Sequence, residues 1–187
     1  LDDEDLLLIN DLDEIPNLNE VNYDKIKNNL VIFEQKMFYY KLNLFYEDFV
    51  WQGSKGVKFK NFKSPQWLRN IKGKKYPKWR LDTYFSKKKY SNLLFIKNGG
   101  WHFTCLRTPE ELEKKLLNFA HHYEYEESGL KLEDIKKLIL EKRVMYDHTI
   151  DQKGYKWSGK SILKRLDISK LPSYIQINAK KYSDWLD

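Results

Sequence analysis

Cys105 is the only cysteine in 187 residues, so no disulfide can form within the chain. A lone thiol fits a reducing compartment and favours the cytoplasm. Its apolar neighbours make it a packed side chain rather than a nucleophile. Long hydrophobic runs are also missing. The most apolar stretches, Leu6 to Ile9 and Leu93 to Ile96, have strand length and are far too short to cross a bilayer. No signal peptide is visible, and neither repeats nor a low-complexity linker interrupt the chain. The sequence opens at Leu1 rather than Met, with an acidic run leading straight into a strand. It therefore reads as a piece whose start lies upstream, where an anchor or targeting signal could sit. A lost membrane anchor would make the Golgi lumen the alternative location.

Aromatic residues, by contrast, are abundant. They make up 16% of the chain, with 13 Tyr, 10 Phe and 6 Trp, which excludes disorder and supplies large rings for a core or for stacking on sugars and bases. The length suits a single domain over 1–187, enough to bury a real core. The net charge of +7 is unevenly placed, because seven of the 27 acidic residues fall within the first 14 positions. An acidic island in a basic protein suits a bound cation beside a polyanion. A nucleotide diphosphate with a divalent metal is one such pair and nucleic acid with a metal is another. A solvated acidic end with Lys-rich helices gives the same composition.

Strands are mixed with helices along the chain, which predicts an α/β fold. Leu6-Leu7-Leu8-Ile9 is a continuous apolar run, as expected for a strand buried on both faces, and Pro16 ends the segment after it. Tyr23 to Asn29 reads as a short helix. Val31 to Leu42 reads as one strand, and Lys55 to Phe62 as a half-buried strand with Val57 and Phe59 on one face. Ser64-Pro65 predicts a helix start, with Ser as cap and Pro in the first position, running to about Ile71. Residues 72 to 92 read as a basic loop. Leu93 to Lys97 and Trp101 to Thr104 are strands separated by Gly99-Gly100. Thr108-Pro109-Glu110-Glu111 is a capping box opening a helix to about His121. Further helices are predicted over about 131 to 143 and from Leu171-Pro172 onward.

Asp11-Leu12-Asp13, at the end of the first strand, is the strongest chemical signal. Ligands gather at the carboxyl ends of strands in open α/β sheets, and hard cations such as Mg2+ or Mn2+ take carboxylate oxygens. An Asp-rich turn has the same sequence. Gly99-Gly100-Trp101-His102-Phe103 comes next. Adjacent glycines allow close backbone approach, Trp101 offers a flat face, and His102 can ligate metal or carry a proton. Taken alone, a β-bulge with a packed Trp and a hydrogen-bonded His accounts for it better. His121-His122-Tyr123-Glu124 lacks the i, i+4 spacing of a helical metal pair, and a His near a helix end also complements the dipole. Arg69, Arg80 and the lysines of 72 to 89 offer forks and charge for a diphosphate.

In this order, the blocks resemble glycosyltransferase family 17. Asp11-Leu12-Asp13-Glu14-Ile15-Pro16 is similar to the family's D-x-D-E-I-P, and Phe38 to Asn43 followed by Trp51-Gln52-Gly53-Ser54 to its Y-Y-x-L-N and W-x-G-T. Gly99 to Phe103 resembles its G-G-W-H-F, Phe119 to Glu124 its F-x-H-x-E, and Leu171 to Ile175 an L-P-x-Y-I near the end of bacterial and viral members. The resemblance covers the chain from Asp2 to about Tyr182. It departs at the doubled histidine, where His122 is the better match, and at Ser54, where Thr is usual. It implies a mixed α/β sheet of glycosyltransferase-A type, Rossmann-like and flanked by helices, with its first strands upstream of Leu1. The chain would be the C-terminal catalytic portion of that fold.

The resemblance further implies an inverting glycosyltransferase that uses a UDP-sugar, UDP-N-acetylglucosamine above all, a glycan acceptor and Mn2+ or Mg2+. Asp11, Asp13 and His102 would hold the metal. Glu14, Arg80, Gly99, Gly100, Trp101 and His122 would lie on the donor. Inversion requires a general base, for which Glu124, Glu110 and Asp82 are candidates. No nucleic-acid partner is expected. Two other functions share parts of the pattern. A metal-dependent nuclease or phosphoesterase would use the acidic turn and basic surround, and an RNA-binding module would use Tyr, Trp and Lys.

Overall fold

The computed structural model describes residues 1–27, 30–77, 79–118, 122–150 and 154–187. In chain order the regular elements are β1 (Leu6–Ile9), β2 (Glu14–Pro16), β3 (Leu30–Phe33), β4 (Gln35–Tyr39), β5 (Leu44–Trp51), β6 (Lys55–Lys58), α1 (Pro65–Arg69) and α2 (Asp82–Phe85). There follow β7 (Leu93–Ile96), β8 (Gly100–Thr104), α3 (Pro109–Leu117), α4 (His122–Ser128), α5 (Leu132–Leu140), β9 (Lys164–Arg165) and α6 (Ser173–Ile177). Strands and helices are thus mixed, as expected for an α/β chain. They form two compact units, residues 1–36 with 50–102 and residues 37–49 with 103–187.

The first unit is built on a four-stranded sheet in the order β1-β6-β3-β7. β6 runs antiparallel to both of its neighbours, and β3 and β7 are parallel. Alternating side chains leave opposite faces of a strand, and here each face meets its own apolar cluster. Leu6, Leu8 and Leu94 pack with Val21, Ile26, Val31, Phe33 and Ile96. Leu7, Ile9, Trp67 and Leu93 pack with Leu30, Val57, Leu68 and Ile71. The apolar run of β1 is therefore covered on both faces, as the sequence predicts, but all four of its residues stay partly exposed. The reason is position, because β1 is the sheet's edge.

Several boundaries differ from expectation. The strand predicted over 31–42 is two strands, interrupted at Glu34. The Glu34 N–H donates to the Ile96 carbonyl at 3.0 Å, and its carbonyl accepts from the Gly99 N–H at 2.8 Å. β6 stops at Lys58, and Phe59–Asn61 form a single 3-10 turn. The Ser64 side chain caps α1 as predicted by accepting from the Trp67 N–H, but α1 ends at Arg69. The basic loop contains the short helix α2. Tyr23–Lys25 is a 3-10 turn, and the predicted helix end at Asn29 lies outside the described residues. The Thr108–Glu111 capping box is present, while the predicted extension of its helix over 119–121 lies outside the described residues.

In the second unit β5 and β9 pair antiparallel. Tyr40, Tyr46, Leu112, Ile135 and Leu171 are among its fully buried side chains. The predicted helix near 131–143 is α5, and the tail from Leu171 forms α6 and a 3-10 segment over Ala179–Trp185. Among the described residues no helix is long and apolar enough to cross a membrane.

Candidate functional site

The site of interest lies wholly in the first unit, where β2 and β8 pair antiparallel with Glu14 opposite His102, Ile15 opposite Trp101 and Pro16 opposite Gly100. This pairing brings the acidic turn to the Gly-Gly-Trp-His segment, far away in sequence. It requires glycine at 100. Gly100 has φ +131°, and a Cβ there would stand 2.0 Å from the Ile15 carbonyl oxygen. A Cβ on Gly99 would meet the Ile96 oxygen at 2.6 Å. The two glycines therefore admit the chain's own backbone, and the space beside them is filled by β2 and its surroundings.

The turn itself is held from below by Glu14. Its side chain is buried, and its carboxylate accepts from Trp51 Nε1 at 2.7 Å, the Asp11 N–H at 3.1 Å and Ser54 Oγ at 3.2 Å. Ser54 Oγ in turn accepts from Gln35 Nε2 at 3.1 Å. The Glu14 N–H donates to the Asp11 carbonyl at 3.1 Å, closing the turn. A Cβ on Gly53 would fall 1.8 Å from Glu14 Oε1, so this network also excludes any side chain at 53. The geometry makes Glu14 a brace for the Asp11–Asp13 turn, with both carboxylate oxygens already engaged.

With Glu14 fixed, Asp13 Oδ2 stands 3.5 Å from His102 Nε2. His102 is buried, at 6% exposure, and its imidazole stacks on the Trp51 indole with ring centroids 4.4 Å apart. Its Nδ1 is buried with no hydrogen-bond partner among the described residues, so no acceptor on that side fixes the tautomer. The 3.5 Å separation is longer than a good N–H···O bond, about 2.7–3.2 Å. It is shorter than two metal–ligand bonds end to end, about 4.2 Å in all. One divalent cation can therefore touch both atoms.

Cations surround the same turn. Arg69, at the end of α1, places Nη2 2.9 Å from Asp11 Oδ1 and 3.0 Å from Oδ2. Lys55 donates to the carbonyls of Arg69 and Ile71 at 2.6 and 2.7 Å, closing the carboxyl end of α1. Burial pushes the Lys55 ammonium below its usual range. Glu14 and Asp11 draw it back up, and Arg69 opposes them. Three of the island's seven acids are thus engaged here: Glu4 binds Lys58 and Lys60, Asp11 binds Arg69, and Glu14 is buried in the brace.

The other candidates fall elsewhere. Trp101 neighbours His102 in β8 and so points to the opposite face of that strand; the ring against His102 is Trp51. Arg80 donates to Asp82 at 2.6 Å, and Lys89 also donates to Asp82, at 2.7 Å. These bonds, Lys89 foremost, hold the Asp82 carboxyl below its ordinary value, which weakens it as a base near neutrality. Glu110, Glu124 and His122 belong to the second unit. Glu110 lies in the first turn of α3, where its own backbone N–H and then Lys136 lower its carboxyl's pKa. His122 begins α4 against the Tyr123 ring, while Phe119 and His121 of the same motif lie outside the described residues. Glu124 lines a cleft of that unit. The sequence pointed to no role for Lys55 or Gln35, although a lysine inside a half-buried strand is a signal for the first, and Trp51 entered only through the W-x-G-T resemblance.

Among the described residues no three His, Cys, Asp or Glu side chains gather as a ready-made metal cage. Comparison with protein-family models, with curated proteins and with solved structures finds no match to this chain.

Proposed function

We propose that this chain is a metal-dependent, inverting glycosyltransferase that moves N-acetylglucosamine or a related sugar from a UDP-sugar to a glycan acceptor. The observation that carries the reading is the 3.5 Å approach of the Asp13 carboxylate to the buried His102 imidazole, at a turn flanked by Arg69 and Lys55. The order of motifs resembling glycosyltransferase family 17 supports it.

Asp13 and His102 fit the protein's share of a divalent cation, Mn2+ or Mg2+. Such ions take one or two side chains and complete their shell with substrate phosphates and water, so a three-residue cage is not required. When bound, the ion would neutralise charge on the departing diphosphate. Glu14 keeps Asp11 and Asp13 in one turn, and Trp51 holds the His102 ring. Arg69, whose planar fork suits phosphate, clasps Asp11 and would exchange it for a diphosphate oxygen. Asp11 then becomes available to the cation or to the ribose. The acceptor hydroxyl must lose its proton as it attacks. Asp82, in the same unit as the turn, is held low by Lys89 and Arg80, which weakens it as that base.

UDP-N-acetylglucosamine hydrolysis, measured with and without Mn2+ in the parent and in Asp13→Ala, tests the proposal. The expected result is Mn2+-dependent turnover that the substitution removes. Equal turnover in all conditions rules the enzyme out as described.

A further inference from the structure

The second unit holds a cleft of about 470 Å³, within the range of small-molecule sites, about 300–1,000 Å³. Its walls combine three rings, Tyr146, Tyr155 and Trp157, with Glu124 and Glu127 and the ammonium of Lys156. The rings are held in place. Tyr146 and Trp157 meet edge to face, 5.3 Å apart at 83°. Trp157 also packs near Tyr125, at 5.9 Å. Tyr155 is 58% exposed, and its hydroxyl donates to the Ser128 carbonyl at 3.0 Å. Lys156 lies over the Tyr146 face, 5.4 Å from its centroid. Glu124 and Glu127 are three apart on α4 and therefore neighbours on one helix face.

Flat rings set beside paired acceptors and one donor match a neutral polyol better than an anion or a nucleobase. Two carboxylates repel phosphate, and the acceptor-rich wall suits a ligand bearing many hydroxyl donors. Pyranoses with equatorial hydroxyls expose apolar C–H faces that lie on aromatic rings. We infer that this cleft is a saccharide-binding site that takes a neutral pyranoside, with the sugar face on Tyr155 and Trp157 and its hydroxyls donating to Glu124 and Glu127. This binding does not rest on the proposed transferase reading.

Isothermal titration of the full chain with cellobiose, lactose and N,N′-diacetylchitobiose is the test, in the absence of nucleotide and metal. At least one should bind with Kd on the order of 1 mM. Tyr155→Ala should weaken it about two- to tenfold, the worth of one aromatic contact, while Tyr155→Phe retains it. Glu127→Gln should weaken binding as well. Tyr155 is half exposed, so its variants should melt at the parent's temperature, whereas Trp157→Ala would disturb packing. Asp13→Ala should bind saccharide as the parent does. Saccharide binding by a chain that shows no Mn2+-dependent turnover would refute the transferase and leave this site standing. No heat with any of the three sugars well above that concentration, or binding indifferent to both Tyr155→Ala and Glu127→Gln, overturns the inference.

Discussion

Replacing Glu14 by Gln tests whether the acidic turn is built from below as the geometry indicates. The Glu14 carboxylate accepts from Trp51 Nε1 at 2.7 Å through Oε1, and from the Asp11 N–H and Ser54 Oγ at 3.1 and 3.2 Å through Oε2. A carboxamide has one oxygen. Turned toward Asp11 and Ser54, it sets its NH2 against the indole N–H. Turned toward Trp51, it sets that NH2 against the Asp11 N–H. Either way a partly buried donor is stranded, at a cost of about 1–3 kcal/mol, and loss of the carboxylate's stronger bonds adds about 1 kcal/mol. The sum is about 2–4 kcal/mol, which for a chain this long lowers Tm by roughly 5–15 °C. Urea unfolding followed by tryptophan fluorescence and by circular dichroism measures it, and Mn2+ and UDP affinities should fall with it. A variant within about 0.5 kcal/mol of the parent, the ordinary range for inconsequential surface changes, would refute the brace.

Gly100→Ala should destabilise the first unit severely, because φ is +131° and the new Cβ lands 2.0 Å from the Ile15 oxygen; circular dichroism melts and loss of Mn2+ binding report it. Asp147 gives a pH signature. Burial opposes its charge, but Thr149, Tyr46 and Ser161 donate to it and hold its carboxyl at about 2, below the ordinary 3.8. A depressed carboxyl stabilises the fold above its unfolded value, and that contribution, about 2 kcal/mol, is lost as pH falls through about 4 toward 2. Asp147→Asn should flatten this acid limb in urea titrations at stepped pH. Arg69→Ala should change stability by less than about 1 kcal/mol, since the Arg69–Asp11 pair is exposed. It should nonetheless weaken UDP binding measurably by calorimetry.

Local chemistry was the legible part of the fold. Ser64-Pro65 and Thr108 to Glu111 announced α1 and α3 because caps are read from neighbours in sequence. Leu93 to Ile96 announced β7 by its apolar run. What the sequence concealed depended on partners far along the chain. Glu34 breaks a β-branched and aromatic stretch in two because Ile96 and Gly99 bond its backbone there. The partial exposure of β1 follows from its edge position, which no local pattern encodes. At the site, the acidic turn and His102 were visible as candidates, but their meeting depends on the register of β2 with β8. The resemblance sets Glu14 on the donor, whereas its side chain turns inward to Trp51 and Ser54. The resemblance likewise sets Trp101 on the donor, while the ring that stacks on His102 is Trp51.

The central claim is that Asp13 and His102 share one cation. Pulsed electron paramagnetic resonance of Mn2+ added with UDP addresses it directly. The account predicts coupling to one imidazole nitrogen, its disappearance in His102→Ala, and a loss of Mn2+ affinity of about tenfold or more in Asp13→Asn. Bound Mn2+ without nitrogen coupling, or undiminished affinity in Asp13→Asn, would contradict it.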